Sequence, residues 1–249
     1  MAVRTEERGQ ILVITLQREE KRNAIDPDTT QAIDAALNRL EDDPQLRVAI
    51  ITGGPSMFSA GTDLKVTAGP PTARGGEYGI IRRRHCKPII AAVEGLALGG
   101  GMEIALACDL VVASRTARFG LPEVQRSLVP IYGGLFRSLR ALPLNVAKEL
   151  LLTGDPLSAE RAHALGMVNV LTEPGAALKA AFTLAERILK NGPVALRETI
   201  AVVEDLFAPE DTRGWELSGR AAAVLWQSED TIEGRNAFLE KRPPVWRGR

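Results

Sequence analysis

Residues 88–114 read PIIAAVEGLALGGGMEIALACDLVVAS, and few folds accommodate such a run. An apolar segment is followed by three consecutive glycines, a second apolar segment with a single carboxylate one turn in, and a third apolar segment. The spacing predicts a strand over 88–93, a helix over 99–107 and a strand over 110–114. The same alternation extends on both sides. ILVITLQ (11–17) reads as a strand paired with 2–6 across Arg8-Gly9-Gln10. Asp26-Pro27 supplies an N-cap with proline at the first helical position. Ile33, Ala36, Leu37 and Leu40 then give one apolar helix face that closes at Asp43-Pro44. RVAIIT (47–52) and GMVNVL (166–171) are further strands, so the chain has an α/β core. Val66 to Gly79, rich in glycine, proline and threonine, reads as a mobile surface stretch. From about Glu173 the pattern is wholly helical, with helices starting at Pro193 and running through 210–228 and 229–240.

Composition narrows the function classes. The 249 residues are 45% hydrophobic, enough for one large core with or without a small appendage. We place the divide at 1–190 for the core and 191–249 for a helical region. Lys and Arg total 31, as do Asp and Glu, which argues against nucleic acid or an anionic membrane as the main partner. No apolar run approaches the roughly 18 residues of a membrane span, and the charged start MAVRTEERGQ shows no secretory signal. Cys86 and Cys108 form no CxxC or cysteine–histidine motif. A reduced, cytoplasmic chain with both cysteines in or near the core is the expectation.

The glycine run has three readings. Glycines let a helix approach a sheet closely, and that alone would account for them. A dinucleotide fingerprint also places Gly99-x-Gly101 between strand and helix, with Glu123 about 20 residues on. It fails because Ile104 stands where the third glycine belongs and Glu103 would set a negative charge where a pyrophosphate binds. The third reading is an oxyanion site. Unpaired N–H groups at the helix start would hold a carbonyl oxygen that gains charge as an enolate forms. Glu103, among Met102, Ile104 and Ala105, would then have its pKa raised by desolvation. The loop MFSAGTDLK (57–65) is the candidate for a second donor, and FGLPEVQ (119–125) supplies a second carboxylate, Glu123.

These segments together resemble the crotonase superfamily, specifically the enoyl-CoA hydratase/isomerase family. The resemblance runs through REEKRNAID (18–26), FSAGTDLK (58–65), the segment around 87–114, ARFGLPEV (117–124), LLLTGDPLSAERAHALGMVNVL (150–171) and EGRNAFLEKRPPVWRGR (233–249). It implies a spiral of ββα units followed by a C-terminal helical trimerisation region, assembled as a homotrimer or homohexamer. It also implies a coenzyme A thioester as substrate, with no metal or redox cofactor. Carried over position by position, Ala60 and Gly100 match the two oxyanion-hole amides, and Glu103 and Glu123 the two hydratase carboxylates. Arg22 and Ala24 match positions at the nucleotide end of coenzyme A. Ala60, Gly61, Thr62, Asp63 and Leu64 border its path, and Phe238 and Lys241 match C-terminal positions that reach it. The implied reaction adds water to a 2-enoyl thioester or removes it. An enoyl-CoA isomerase, a dehydratase or racemase of a substituted acyl-CoA, and a non-catalytic acyl-CoA-binding homologue are the alternatives.

Two departures stand out. After Glu123 the turn reads Val129-Pro130-Ile131-Tyr132-Gly133-Gly134, with Ile131 where the family's glycine helps hold the reacting water and Tyr132 adding bulk at the acyl end. The stretch from Asp63 to Pro88 is short for the family. His85 and His163 read as helix-end or surface residues, not bases.

Overall fold

A computed structural model describes residues 2–249. Strands β1 (Val3–Arg8) and β2 (Ile11–Leu16) form an antiparallel hairpin. Arg8 pairs with Ile11, so the turn is the two residues Gly9-Gln10, tighter than the sequence suggested, with Gly9 at φ 60°. Helix α1 (Pro27–Asp42) begins as expected: Asp26 accepts from the Thr29 N–H at 2.8 Å, and Pro27 opens the first turn. Then follow β3 (Val48–Thr52), β4 (Met57–Ser59), β5 (Ile89–Val93), β6 (Leu96–Leu98), α2 (Gly100–Leu106), β7 (Leu110–Ser114) and β8 (Arg118–Gly120). The chain continues with α3 (Gly134–Ala141), α4 (Leu144–Thr153), β9 (Leu157–Ser158), α5 (Ala159–Ala164), β10 (Val170–Thr172), α6 (Ala177–Leu189), α7 (Pro193–Leu225) and α8 (Glu229–Glu240).

Among the described residues ten strands make two sheets, one in the order β1-β2-β3-β5-β7-β10 and one in the order β4-β6-β8-β9. Each turn of the chain lays one strand in the first sheet and the next in the second: β3 then β4, β5 then β6, β7 then β8. Within each sheet these successive strands run parallel. This is the crotonase spiral that the motifs implied. Packing on both faces explains why β3 and β5 are buried throughout. Val48, Ile50, Ile90 and Ala92 face α6, whose Ala177, Ala181 and Ala185 recur every fourth residue and let it lie close to the sheet. Ala49, Ile51, Ile89, Ala91 and Val93 face the opposite side, packing with Leu37, Leu40, Phe58 and Met102.

Several sequence expectations need correcting. The stretch 66–79 is not simply surface: Ala68 and Tyr78 are buried, and Thr72 Oγ1 donates to Asp34 of α1 at 2.7 Å. Cys86 is exposed, while Cys108 is half-buried with its thiol on the Ile104 carbonyl. His85 is buried, its Nε2 lying 3.0 Å from both carboxylate oxygens of Asp109. His163 does sit in the last turn of α5, exposed. The helices expected from Pro193 and over 210–228 are one continuous helix, with Pro209 inside it. That segment is mostly exposed, so the carbonyl left without its helical partner remains open to water. Among the described residues no helix is long and apolar enough to cross a membrane.

Candidate active site

The short β6 ends at Leu98, and the chain must turn sharply to start α2 beneath it. Gly99 makes the turn at φ 54° and ψ −125°, a backbone open to few other residues. The next two glycines are there for space. A methyl group on Gly101 would collide with the Ser59 carbonyl, and one on Gly100 with the hydroxyl and ring of Tyr78. The helix is thus driven into the core, buried from Gly100 to Ala105, and takes Glu103 with it.

Glu103 is 2% exposed. Its Oε1 accepts from the backbone N–H groups of Tyr132 at 2.8 Å and Gly134 at 2.9 Å. Both amides reach one oxygen because Gly133, at φ 104°, folds the chain between them. Ile131 therefore lies beside the cradle without supplying an amide to it. Glu123 stands on a 3₁₀ turn, Pro122–Arg126, just after β8. Its Oε2 is sealed from solvent and has no hydrogen-bond partner among the described residues. Its Oε1 lies 2.9 Å from where a methyl on Gly99 would sit, so it faces the start of α2.

Burial pushes both carboxyls above the ordinary carboxylate range. For Glu103 burial leads, the charge of Glu123 adds to it, and the Gly134 and Tyr132 amides and Arg137 oppose it. For Glu123 burial leads, and its own backbone amide and Arg126 offset part of the effect. Two such groups in electrostatic reach titrate as a pair, which favours a state with one proton between them near neutral pH.

The two amides expected to converge need one change of residue. The Ala60 N–H donates to the Arg22 carbonyl at 3.0 Å and so is not free to bind a ligand. The Gly61 N–H reaches Ser59 Oγ at 3.1 Å, and the Asp63 N–H reaches the Ile25 carbonyl at 2.9 Å. Between Ala60 and Asp63, Thr62 alone has an N–H without a partner among the described residues. Gly61, at φ 83°, turns the chain so that the Ala60 and Asp63 amides face the 22–25 segment while that of Thr62 is left free. The Gly100 N–H, at the first position of α2, likewise has no partner. The two segments touch: a methyl on Gly61 would lie 2.7 Å from the Gly100 nitrogen. The two neighbouring amides left without partners are therefore those of Thr62 and Gly100, in place of the Ala60 and Gly100 pair that the resemblance implied.

The other sequence-predicted residues divide. Arg22 is exposed in a left-handed conformation, and the Ala24 carbonyl accepts from Arg18 at 2.5 Å; both lie on the segment bridged to Thr62 through Ile25. Leu64 is exposed beside them. The Asp63 carboxylate is occupied by the Lys65 N–H at 3.0 Å and by Arg18 at 3.2 Å, which hold its pKa below the usual value. Its visible role is to fix the loop. Phe238 and Lys241 belong to α8, which packs on the turn bearing Glu123: Thr231 Oγ1 donates to the Ser127 carbonyl, and the Arg126 guanidinium covers the Phe238 ring at 4.1 Å. Lys241 is the exposed left-handed cap of that helix. The Tyr132 ring meets Tyr78 edge-on with centroids 5.0 Å apart. Sequence reasoning missed Tyr78 altogether. Its one local signal is an aromatic residue set among glycines in GGEYG (75–79).

With this geometry in place, comparison with known proteins is direct. The family model described as Enoyl-CoA hydratase/isomerase matches residues 6–249. Over 253 aligned residues the chain is 41% identical to carnitinyl-CoA dehydratase of Salmonella typhi, covering 97% of this chain and 96% of that protein. It superposes on the crystal structure of carnitinyl-CoA hydratase from Mycobacterium avium with a TM-score of 0.92 and 40% identity, covering 100% of this chain and 99% of the other. For an enoyl-CoA hydratase from Mycobacterium marinum the TM-score is 0.80 and the identity 46%, with the same coverage.

Proposed function

The chain belongs to the enoyl-CoA hydratase/isomerase family, and from that premise we propose that it adds water to, or removes it from, an acyl-CoA thioester through an enolate held by the Thr62 and Gly100 amides. One observation carries this reading: the buried Glu103 and the half-buried Glu123, whose sealed Oε2 has no partner, stand beside two amides that nothing satisfies. Buried polar groups without partners are costly, and a site that keeps several together is built for a ligand to complete.

In this reading the thioester oxygen lies between the two amides, which stabilise it most when it carries enolate charge. Glu103, with Oε1 fixed by Tyr132 and Gly134, turns its other oxygen to a water and takes a proton from it as the hydroxyl adds at Cβ. Glu123 gives a proton to Cα. Dehydration runs the same steps backwards: Glu123 removes the Cα proton and Glu103 protonates the departing hydroxyl. Either direction exchanges the protonation of the two acids, so a proton must return between them before the next turnover.

The relatives' name puts carnitinyl-CoA first among substrates to try. The loop from Gly61 to Leu64 with Arg22 and Ala24 would carry the coenzyme A moiety. The apolar residues exposed on α7 and α8, among them Val202, Leu206, Val224 and Ile232, suit self-association into a trimer or hexamer, a matter for light scattering. The deciding experiment incubates the protein with carnitinyl-CoA, a straight-chain 2-enoyl-CoA, a 3-enoyl-CoA and a saturated acyl-CoA in deuterated water, with mass analysis of products. Gain or loss of one water is expected. Deuterium at Cα with no change in water content would replace this reading by enolisation or isomerisation. Retained conversion of the 3-enoyl substrate after Glu103→Ala would favour the isomerase specifically.

A further inference from the structure

Tyr78 lies outside every role assigned so far, yet its placement is the least ordinary in the molecule. It adopts φ 53° and ψ 9°, a left-handed backbone that bulky residues rarely take and that persists only where the surroundings impose it. The surroundings are plain. On one side Gly79 packs against the Thr30 carbonyl and Asp34 of α1 with no room for a side chain. On the other the ring is 1% exposed and meets Tyr132 edge-on. The strain thus delivers a phenol to one point. Its oxygen lies 2.6 Å from Thr62 Oγ1 and directly against the Cα of Gly100, where a methyl would also come within 2.6 Å of the Tyr78 Cζ.

Those two contacts are with the residues whose amides are free. We propose that Tyr78 is a catalytic residue, a third donor in the oxyanion site, with the Thr62 hydroxyl donating to the phenol oxygen and the phenol proton directed to the thioester oxygen beside the Thr62 and Gly100 amides. This rests on the acyl-CoA reading above. No proton leaves the phenol: the hydrogen bond shortens as charge moves onto the thioester oxygen and relaxes as it moves off. Burial, with the nearby charge of Glu103, keeps the phenol neutral and therefore a donor across the working range. The same ring supports Tyr132, whose amide holds Glu103, so the oxyanion site and the water-activating acid share one rigid wall.

The alternative is a packing wedge with no part in the chemistry, and a readout of carbonyl polarisation separates the two. 4-Dimethylaminocinnamoyl-CoA absorbs at longer wavelength when its thioester carbonyl is polarised, whether or not it turns over. With wild-type protein the band should move to the red. Tyr78→Phe keeps the ring and its contact with Tyr132. It should reduce the red shift and lower kcat about ten- to a hundredfold, less than the roughly 10²–10³ of a principal donor. Thr62→Val, which preserves shape and the backbone N–H, should lose a smaller part of the red shift, and it carries the test if the Phe variant does not fold. An undiminished red shift with unchanged kcat in Tyr78→Phe overturns the proposal, as does a loss confined to melting temperature. If wild-type protein neither shifts the probe nor converts any thioester of the panel, the acyl-CoA reading falls and takes this one with it.

Discussion

Arg83 and Asp34 meet at 2.6 Å with the guanidinium side chain 1% exposed, while the buried Glu103 and the half-buried Glu123 have no cation bonded to either among the described residues. The first pair is thoroughly satisfied. Arg83 donates to Asn38 Oδ1 at 2.9 Å and to the Gly79 carbonyl at 3.3 Å, and Asp34 accepts from Thr72 and from Asn38. The second pair keeps one carboxyl oxygen without any partner and both pKa values raised by burial. Burial alone therefore does not separate the two regions; how completely the buried groups are paired does. The two regions are also mechanically joined, because the Arg83–Asp34 network grips Gly79, the neighbour of Tyr78.

The contrast breaks or sharpens under substitution. The largest effect belongs to the unsatisfied pair: Glu123→Gln, and separately Glu103→Gln, should lower kcat by about 10²–10⁴ with the protein still folded, measured by steady-state hydration or dehydration. Undiminished turnover in either would remove that acid from the mechanism. Next, Asp34→Ala should lower unfolding free energy by about 3–5 kcal/mol, the cost of leaving a buried guanidinium unpaired, as read by denaturant titration. Turnover per folded molecule should then fall less than with Tyr78→Phe. The reverse ranking would mean that the satisfied pair is the functional one.

The smallest effect concerns pH. Because the native state holds protons on Glu103 and Glu123 above the ordinary carboxylate range, it binds more protons than the unfolded chain between the ordinary and raised values. Stability must then fall as pH rises through that window. Glu123→Gln escapes part of this penalty. Its melting temperature should gain on wild type from about pH 5 to about pH 8, at roughly 2–4 °C per kcal/mol relieved. A margin that stays flat or narrows would mean the site is already paired or hydrated.

Much of this molecule is readable along the chain. Asp26-Pro27 caps α1, the apolar runs 11–17, 47–52, 88–93 and 110–114 contain the main strands, and the motif order implied the spiral. Glu103 stood out from its apolar neighbours, and Glu123 through the family resemblance. The errors are of one kind. Ala60 was taken for the free amide because the Arg22 carbonyl that occupies it lies far along the chain. Tyr78 was passed over because its partner Thr62 is 16 residues away, and His85 because Asp109 is 24 away. A further difference is that the helices expected from Pro193 and over 210–228 are the single helix α7.

Caps, strand periodicity and the glycines that allow a turn at Gly99 are set by backbone sterics and by neighbours within a few residues, so the sequence by itself determined most of the elements and put Glu103 in the first turn of α2. Which amide stays free, which carboxyl oxygen stays bare and where a strained phenol points depend on which donors and acceptors from distant segments have already been matched. Only the folded chain completes that matching, and the groups it leaves over make the site.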